Sequence, residues 1–197
     1  MTANRVLHRI YRKQRGWVFS AIDFASLGTR TALDVTLHRL AERGTIRRVS
    51  RGVYEYPRYS ERLKIVMAPE MAQVANAIAR KFGWRIQPSG ALALNLIGLS
   101  TQVPSQYVYL SDGPNRKVLI AGRSLEFRHS VLKESSFKLR ESSLIVQALR
   151  SLGRDRITPR VIAELRRWLD PAKRARVLED THVVTGWVYD NIRKICN

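Results

Sequence analysis

The sequence contains a single cysteine, Cys196. An intrachain disulfide is therefore excluded, and thiolates cannot form the clusters that hold structural zinc. The longest apolar stretches, such as residues 91–99, are shorter than the roughly 20 residues that a membrane-spanning helix needs. We expect a reducing, cytoplasmic location and no membrane partner.

Acidic residues are scarce as well. The 197 residues include 16 Asp and Glu against 35 Lys and Arg, which gives a formal net charge of +19. Basic side chains in such excess repel one another within a compact fold, and a bound polyanion neutralises their charge. Because 45% of the residues are hydrophobic, the chain can still bury a sizeable core. The composition favours nucleic acid as a partner over a merely solubilising surface, which usually intersperses both signs.

Signatures of catalysis and of cofactor binding are also missing from the sequence. The four histidines lack the spacing of metal ligands, and no pair of carboxylates has the pattern that holds Mg²⁺. No glycine-rich phosphate loop follows a predicted strand, and no serine has the context of a nucleophile. We therefore expect no catalytic residue, no metal and no cofactor.

The amino-terminal region begins with two predicted helices. Apolar residues recur at helical spacing before Gly16, and the apolar run at residues 17–19 predicts a short strand. Ser20 and Asp23 have the spacing of a capping box, in which a hydroxyl and a carboxylate satisfy amide groups reciprocally. A second, short helix is therefore expected to start there and to end near Gly28.

A third helix and a hairpin follow. The helix is capped by Thr29 or Thr31 and runs to Arg43, and residues 45–49 and 53–56 are two β-prone runs around a glycine turn. Its inward stripe consists of Leu33, Leu37, Leu40 and Ala41. Three helices with a tight corner and a basic hairpin are typical of a winged helix-turn-helix.

The rest of the chain predicts a mixed α/β domain. Helical patterns at residues 69–82 and 89–97 precede a β-rich region at residues 107–131, after which the chain returns to helix. The predicted fold class is therefore α+β, with a winged helix-turn-helix domain at residues 1–60 and an α/β domain with a helical carboxy-terminal end at residues 61–197.

Candidate base-reading residues occupy the start and outward face of the third helix, because this part of a recognition helix meets base edges in the major groove. They are Thr29, Arg30, Thr31, Asp34, Val35 and His38, and Arg39 at the margin of this face is a further DNA-binding candidate. Arg30 can pair with guanine through two hydrogen bonds, and Val35 can contact a thymine methyl. Val35 is equally consistent with an ordinary surface position or a dimer contact, and Asp34 with a cap of the helix start.

Basic residues on the hairpin are the second group of candidates. Arg47, Arg48 and Arg51 lie where a wing meets phosphates or the minor groove. The alternative is a solvated charge run that protects an edge strand.

A further basic stretch covers residues 150–176, with nine Lys and Arg against three Asp and Glu. It is consistent with a second polyanion surface, with a dock for an acidic protein, or with the solvated outer faces of helices.

Two groups of motifs resemble the AbiEi antitoxins of type IV toxin–antitoxin systems. The first group is GWVF at residues 16–19, LAERG at residues 40–44 with IRRV at residues 46–49, and RGVY at residues 51–54. The second and more distinctive group is PSGALALN at residues 88–95 and LSTQVP at residues 99–104. The resemblance covers most of residues 1–131. It implies a winged-helix domain that represses its own operon and a second domain that counteracts a nucleotidyltransferase-like toxin.

The expected partners are therefore double-stranded operator DNA, a cognate nucleotidyltransferase-like toxin, and a second copy of the chain on the DNA. One alternative is a ligand-responsive winged-helix regulator unrelated to a toxin, which requires a pocket with convergent polar groups in the second domain. Another is an enzyme acting on RNA or nucleotides, which requires a carboxylate or metal cluster that folding brings together.

Overall fold

A computed structural model describes residues 2–101, 106–130 and 137–197. The helices are α1 (Thr2–Lys13), α2 (Arg30–Glu42), α3 (Met71–Phe82), α4 (Gly90–Ile97), α5 (Arg140–Leu152), α6 (Pro159–Trp168), α7 (Arg174–Thr181) and α8 (Gly186–Cys196). The strands are β1 (Val18–Phe19), β2 (Arg47–Ser50), β3 (Val53–Glu55), β4 (Tyr59–Ser60), β5 (Ile65–Val66), β6 (Ile86–Pro88), β7 (Gln106–Ser111), β8 (Arg116–Ile120) and β9 (Arg123–His129). Short 3₁₀ helices lie at Ala21–Leu27, Arg154–Arg156 and Pro171–Lys173.

These elements confirm the predicted α+β class and its helical carboxy-terminal end. Within this helical end, element boundaries lie beside Gly153, Pro159, Pro171 and Gly186. In the part of the chain that the structure describes, no helix is both long and apolar enough to span a membrane. Residues 102–104 of the second AbiEi-like motif, and residue 131 at its limit, lie outside the described residues.

The fold divides into two compact units, Met1–Trp84 with Lys117–Leu125 and Arg85–Arg116 with Glu126–Asn197. The amino-terminal unit therefore extends beyond the boundary that the sequence predicts at residue 60. The reason is α3, which packs against β1, β3 and the first 3₁₀ helix. Near the end of α3, Arg80 donates hydrogen bonds to the Asp23 carboxylate at 2.8 Å and to the Val18 carbonyl at 3.0 Å.

An aromatic and aliphatic core holds the first helices of the amino-terminal unit together. Phe19 and Phe24, both fully buried, meet edge to face with ring centroids 5.4 Å apart. Leu33, Leu37 and Leu40 bury the inner face of α2 against this cluster, as the leucine stripe predicts. The predicted second helix is a 3₁₀ helix over Ala21–Leu27 rather than an α-helix.

The amino-terminal sheet has the antiparallel strand order β1-β3-β2. Its register places Arg47 opposite Glu55 and Arg48 opposite Tyr54, with a bulge before Ser50. The tight turn between β2 and β3 depends on Gly52, whose φ of 66° lies in the left-handed region that favours glycine. The basic tip predicted for the hairpin is therefore formed by the end of β2 and this turn.

A second hairpin, β4–β5, follows the first and was not predicted from the sequence. Tyr59 pairs with Val66 and Ser60 with Ile65. Every residue from Glu61 to Ala68 is exposed, including Leu63, which is 63% exposed. The segment at the predicted domain boundary is thus a structured projection of the amino-terminal unit.

The helices of the carboxy-terminal unit enclose their own apolar core. Its fully buried members include Leu144 and Ile145 of α5 and Val188 and Ile192 of α8. The start of α4 lies so close to α5 that a Cβ atom at Gly90 would be 2.5 Å from Ser151 Cβ. In the same unit, β6 pairs antiparallel with β7, and Gln87 lies opposite Leu110.

Candidate nucleic-acid interface

The amino terminus of α2 is fixed by Thr29. Its side-chain oxygen accepts a hydrogen bond from the Ala32 backbone N–H at 3.4 Å, and its own backbone is extended. A threonine in this position satisfies one of the amide groups that a helix start leaves unpaired. Of the two caps that the sequence leaves open, Thr29 is therefore the one used, and Asp34 does not cap the helix.

Asp34 instead forms an ion pair with Arg30, one turn earlier on the same helix. Its Oδ2 atom accepts a hydrogen bond from Arg30 Nε at 2.9 Å, and both side chains are more than half exposed. An arginine has five N–H donors, and this bond uses the single one on Nε. The two terminal nitrogens of Arg30 keep their four N–H groups for an acceptor outside the helix.

The remainder of the outward face of α2 is exposed and carries little net charge. Val35 is 44% exposed, an apolar side chain among the polar ones of Thr31 and Arg39. His38 Nε2 lies 3.4 Å from Glu42 Oε1, so His38, like Arg30, has an acidic neighbour on the same helix. The face is therefore suited to hydrogen bonds and apolar contacts rather than to non-specific attraction.

Arg47 has a structural role that differs from the predicted one. Its guanidinium donates to the buried Glu55 carboxylate and to the Met67 carbonyl at 2.8 Å. The cause is the strand register, which places Arg47 directly opposite Glu55. Arg47 thus stabilises the sheet through Nε and Nη2, and its contact with phosphate stays a prediction.

Arg48 and Arg51 remain exposed on the hairpin. The Lys81 ammonium donates a hydrogen bond to the Arg51 carbonyl at 2.5 Å, which ties the turn to α3. This contact fixes the backbone at the hairpin tip while the Arg51 side chain stays exposed. The hairpin therefore presents two arginines on a supported backbone.

A basic face of α1 extends the candidate interface, and it was missed in the sequence analysis. Arg5, His8 and Arg12 are exposed at a spacing of about one and two helical turns. With Asn4, Arg9 and Leu27 they line a shallow depression of about 340 Å³. The available signal was the combination of arginine-rich composition, helical spacing and absence of acidic residues in the first 15 residues.

The start of α1 lies beside the turn that leads into α2. A Cβ atom at Gly28 would lie 3.3 Å from the Thr2 side chain. Arg9 crosses to the same region, where it donates to the Asp23 carbonyl at 2.8 Å. The basic face of α1 therefore begins next to the base-reading candidates at the start of α2.

Five exposed arginines of this surface have no acidic partner among the described residues. None of the side chains of Arg5, Arg12, Arg39, Arg48 and Arg51 lies within 4.0 Å of a carboxylate in residues 2–101, 106–130 and 137–197. Exposed like charges without counter-charges create a positive potential that attracts polyanions. The electrostatic attraction of the unit is thus supplied by α1, by the carboxy-terminal part of α2 and by the hairpin.

The basic stretch at residues 150–176 divides into residues that stabilise the fold and residues that line a groove. Arg156 donates to the last carbonyls of α5, and Lys173 pairs with Glu141 at 2.6 Å. By contrast, three arginines of this stretch, with Lys194 of α8, line a groove of about 710 Å³ in the carboxy-terminal unit. These arginines are Arg166, Arg167 and Arg174. Within the described residues, no three His, Cys, Asp or Glu side chains are grouped as metal ligands.

Residues 5–177 match the model of a family of unknown function, DUF6088. The chain belongs to this family. The DUF6088 match begins within α1 and ends within α7, so it includes the candidate residues of α2, of the first hairpin and of the basic face of α1. No curated protein matches this chain in sequence.

Proposed function

We propose that this DUF6088 protein is a sequence-specific DNA-binding repressor. Its amino-terminal unit acts as a winged helix-turn-helix, with α2 as the recognition helix and β2–β3 as the wing. The observation that carries the proposal is the exposed face of α2, where Asp34 holds Arg30 opposite a leucine-packed inner face. Base readout requires such a helix, because the inner face fixes the helix while the outer face enters the major groove.

Arg30 is the main reader of sequence in this proposal. A guanine offers two acceptors, N7 and O6, which match the paired donors of a guanidinium. The bond from Nε to Asp34 restricts the Arg30 side chain before DNA arrives and leaves its terminal nitrogens for the base. Asp34 is then a positioning residue, and its loss should weaken discrimination between bases more than it weakens attraction to phosphate.

Arg48 and Arg51 of the wing, together with Arg5 and Arg12 of α1, contact phosphates. Arginine suits this role because its planar fork presents two donors to phosphate oxygens. Since phosphates carry no sequence information, these residues fix the register of the protein on the duplex. Affinity and specificity are thereby supplied by different elements.

The regulated operon is that of a toxin–antitoxin system. The resemblance to AbiEi antitoxins supports this assignment, with a carboxy-terminal unit that counteracts a nucleotidyltransferase-like toxin. A protein with these two tasks acts in the cytoplasm, requires no cofactor and is not an enzyme. A second copy of the chain on the operator would double the number of base and phosphate contacts.

The test of DNA readout is a binding titration with the DNA upstream of the gene and with random DNA of equal length. We expect Arg30→Ala to weaken binding to the upstream DNA by about 1–3 kcal/mol and binding to random DNA much less. The matched control is Arg160→Ala, which removes an arginine of α6 that is 88% exposed. Equal losses on both DNAs would reduce Arg30 to a phosphate contact and contradict its role in readout.

The antitoxin role is tested separately by growth rescue. A nucleotidyltransferase gene next to this one is expressed with the wild-type chain or with Arg30→Ala. We expect rescue by both chains, because neutralisation is assigned to the carboxy-terminal unit. Absence of rescue by a wild-type chain that still binds its operator would reject the antitoxin role and retain the repressor.

A ligand-responsive repressor without a toxin is the second candidate. It requires a pocket with convergent polar groups in the second domain. The groove lined by Arg166, Arg167, Arg174 and Lys194 is the observation that favours it.

A further inference from the structure

The groove of the carboxy-terminal unit combines an apolar wall with a cationic wall. It lies between α6 and α8, at the start of α7, and has a volume of about 710 Å³. Ile157, Pro159 and Ile162 contribute the apolar wall, and the amide of Asn191 adds a polar group that can donate and accept. Four cationic side chains, Arg166, Arg167, Arg174 and Lys194, complete the lining.

The protein leaves the charge of this groove uncompensated. Arg166 Nη2 donates to the Lys194 carbonyl at 2.5 Å, and Arg174 Nη2 donates to the Arg166 carbonyl at 3.3 Å. Both acceptors are neutral. None of the four cations lies within 4.0 Å of a carboxylate in the part of the chain that the structure describes.

Neighbouring cations on the same two helices show the opposite arrangement. Arg160 of α6 pairs with Glu164 at 2.9 Å, and Arg193 of α8 pairs with Asp190. Acidic partners are therefore present along both helices, but they do not line the groove. The cationic residues of the groove repel one another, no acidic side chain among the described lining residues offsets that repulsion, and a bound anion would do so.

Arg174 supplies a further polar group that lacks a partner. Its Nε atom is buried, and no acceptor among residues 2–101, 106–130 and 137–197 forms a hydrogen bond with it. Buried donors in native proteins are almost always bonded to protein, water or a ligand, so this N–H group of a groove-lining residue is available to a bound molecule.

The size and lining of the groove define the ligand. Its volume falls within the range of about 300–1,000 Å³ typical of sites for small organic molecules, and exceeds what a lone phosphate or carboxylate fills. We propose that the groove binds a small organic molecule with at least two negative charges and an apolar or aromatic body, as a nucleoside diphosphate has. The charged end lies against the four cations, and the body lies against Ile157, Pro159 and Ile162. This inference is independent of DNA binding by α2.

The test uses the full chain in calorimetric titrations with ADP, with inorganic pyrophosphate and with adenosine. ADP joins the charged end and the aromatic body, whereas each of the other two probes supplies one of them. We expect ADP to bind at least about tenfold more tightly than either, because both walls of the groove then contribute.

Three variants separate the two walls. Arg167→Gln and Lys194→Gln should each weaken ADP binding about fivefold or more, because each removes one charge facing the ligand. Ile162→Ala should weaken ADP binding and leave pyrophosphate binding unchanged. The matched control, Arg160→Gln, removes a paired arginine of the same helix that does not line the groove, and it should change neither.

Other outcomes overturn the proposal. Absence of heat at about 1 mM ADP means that the groove holds no ligand of this class. Equal affinities for ADP and pyrophosphate, with no effect of Ile162→Ala, indicate an inorganic anion site. Binding of a single-stranded oligonucleotide or a polyglutamate peptide more tightly than ADP, lost in Arg167→Gln, assigns the groove to a macromolecule.

The upstream DNA is titrated with the same variants. We expect Arg167→Gln to leave the affinity for DNA unchanged. A loss of ADP binding in this variant then concerns the groove alone, and a failure of DNA binding in the wild type concerns the proposed repressor alone.

Discussion

Arg47 Nε donates a hydrogen bond of 3.1 Å to Glu55, the residue directly opposite it in the neighbouring strand. The Glu55 side chain is 1% exposed, and its other oxygen has no hydrogen-bond partner among the described residues. Without the arginine, a buried carboxylate would lose its cation. The stability of the amino-terminal sheet therefore depends on the charge of Arg47.

Arg47→Ala is expected to destabilise the fold. Breaking a buried ion pair by removing one partner costs about 3 kcal/mol, because the remaining charge stays buried. Urea unfolding of Arg47→Ala and of Arg48→Ala measures the difference, since Arg48 is an exposed neighbour on the same strand. Equal stability of the two variants would show that Glu55 does not depend on Arg47.

Gly52→Ala should cost more stability than Gly44→Ala. Both glycines have left-handed φ values, 66° and 71°, so alanine introduces about 1 kcal/mol of backbone strain at each. Only at Gly52 would the new Cβ atom also approach Lys81 Nζ, at 2.9 Å, and displace its bond to the Arg51 carbonyl. The free energies of unfolding, measured by denaturant titration, should therefore differ by about 0.5–1.5 kcal/mol between the variants, which is the net value of a hydrogen bond. If the two midpoints coincide, the Lys81 contact does not support the hairpin.

Binding to the upstream DNA should weaken steeply with salt. If the chain neutralises roughly five phosphates, the slope of log affinity against log salt is about −4 to −5. Replacing Arg5 and Arg12 together by Gln should reduce the magnitude of that slope by about two, because each residue is assigned one phosphate. The control Arg160→Gln removes an arginine that is ion-paired with Glu164, and it should leave the slope unchanged. A salt titration with no slope would reject the polyanion interpretation of the +19 charge.

Asp180→Asn is expected to make the carboxy-terminal unit less stable at neutral pH and less sensitive to acid. Burial acts to raise the pKa of Asp180, but hydrogen bonds from the backbone N–H groups of Lys138 and Leu139, at 2.9 and 3.0 Å, hold it below the ordinary value of 3.8. A carboxyl group whose pKa is lowered by folding stabilises the protein at every pH above its ordinary pKa. This contribution is lost as the pH falls through the pKa of the folded state.

The measurement compares urea midpoints of wild type and Asp180→Asn at pH 7 and pH 3. The difference in urea midpoint between the two proteins should be smaller at pH 3 than at pH 7. Asp155→Asn, at an exposed position, serves as the control. A gap that is the same at both pH values would mean that the carboxylate charge of Asp180 does not contribute.

Local signals predicted much of the amino-terminal unit. Thr29 and Gly44 mark the limits of α2 because a side-chain cap and a left-handed glycine depend on neighbouring residues only. The β2–β3 hairpin was predicted for the same reason, from two β-prone runs around Gly52. Strands β4 and β6 are as short as β1 and β3, but they lack the uninterrupted apolar run of residues 17–19 and the pair of β-prone runs around Gly52.

Long-range packing decided the rest. Arg80 reaches Asp23 across 57 positions of sequence, so no local pattern could assign α3 to the amino-terminal unit. The partner of Arg47 depends on a strand register that is followed by a bulge. Likewise, the cations of the groove come from three different helices, and only their packing places Arg166, Arg174 and Lys194 side by side.

The β4–β5 hairpin has a consequence for the behaviour of concentrated solutions. Leu63 is 63% exposed, and Ile65 and Val66 are each 52% exposed, on a two-stranded ribbon whose outer edges are unpaired within the described residues. Such edges can join ribbon to ribbon, and the interspersed Glu61, Arg62 and Lys64 oppose this together with the repulsion between molecules of charge +19. Added electrolyte screens that repulsion over about 10 Å at 0.1 M and leaves the apolar attraction in place. The molecules should therefore cluster, and light scattering rise, at the ionic strengths that release a polyanion.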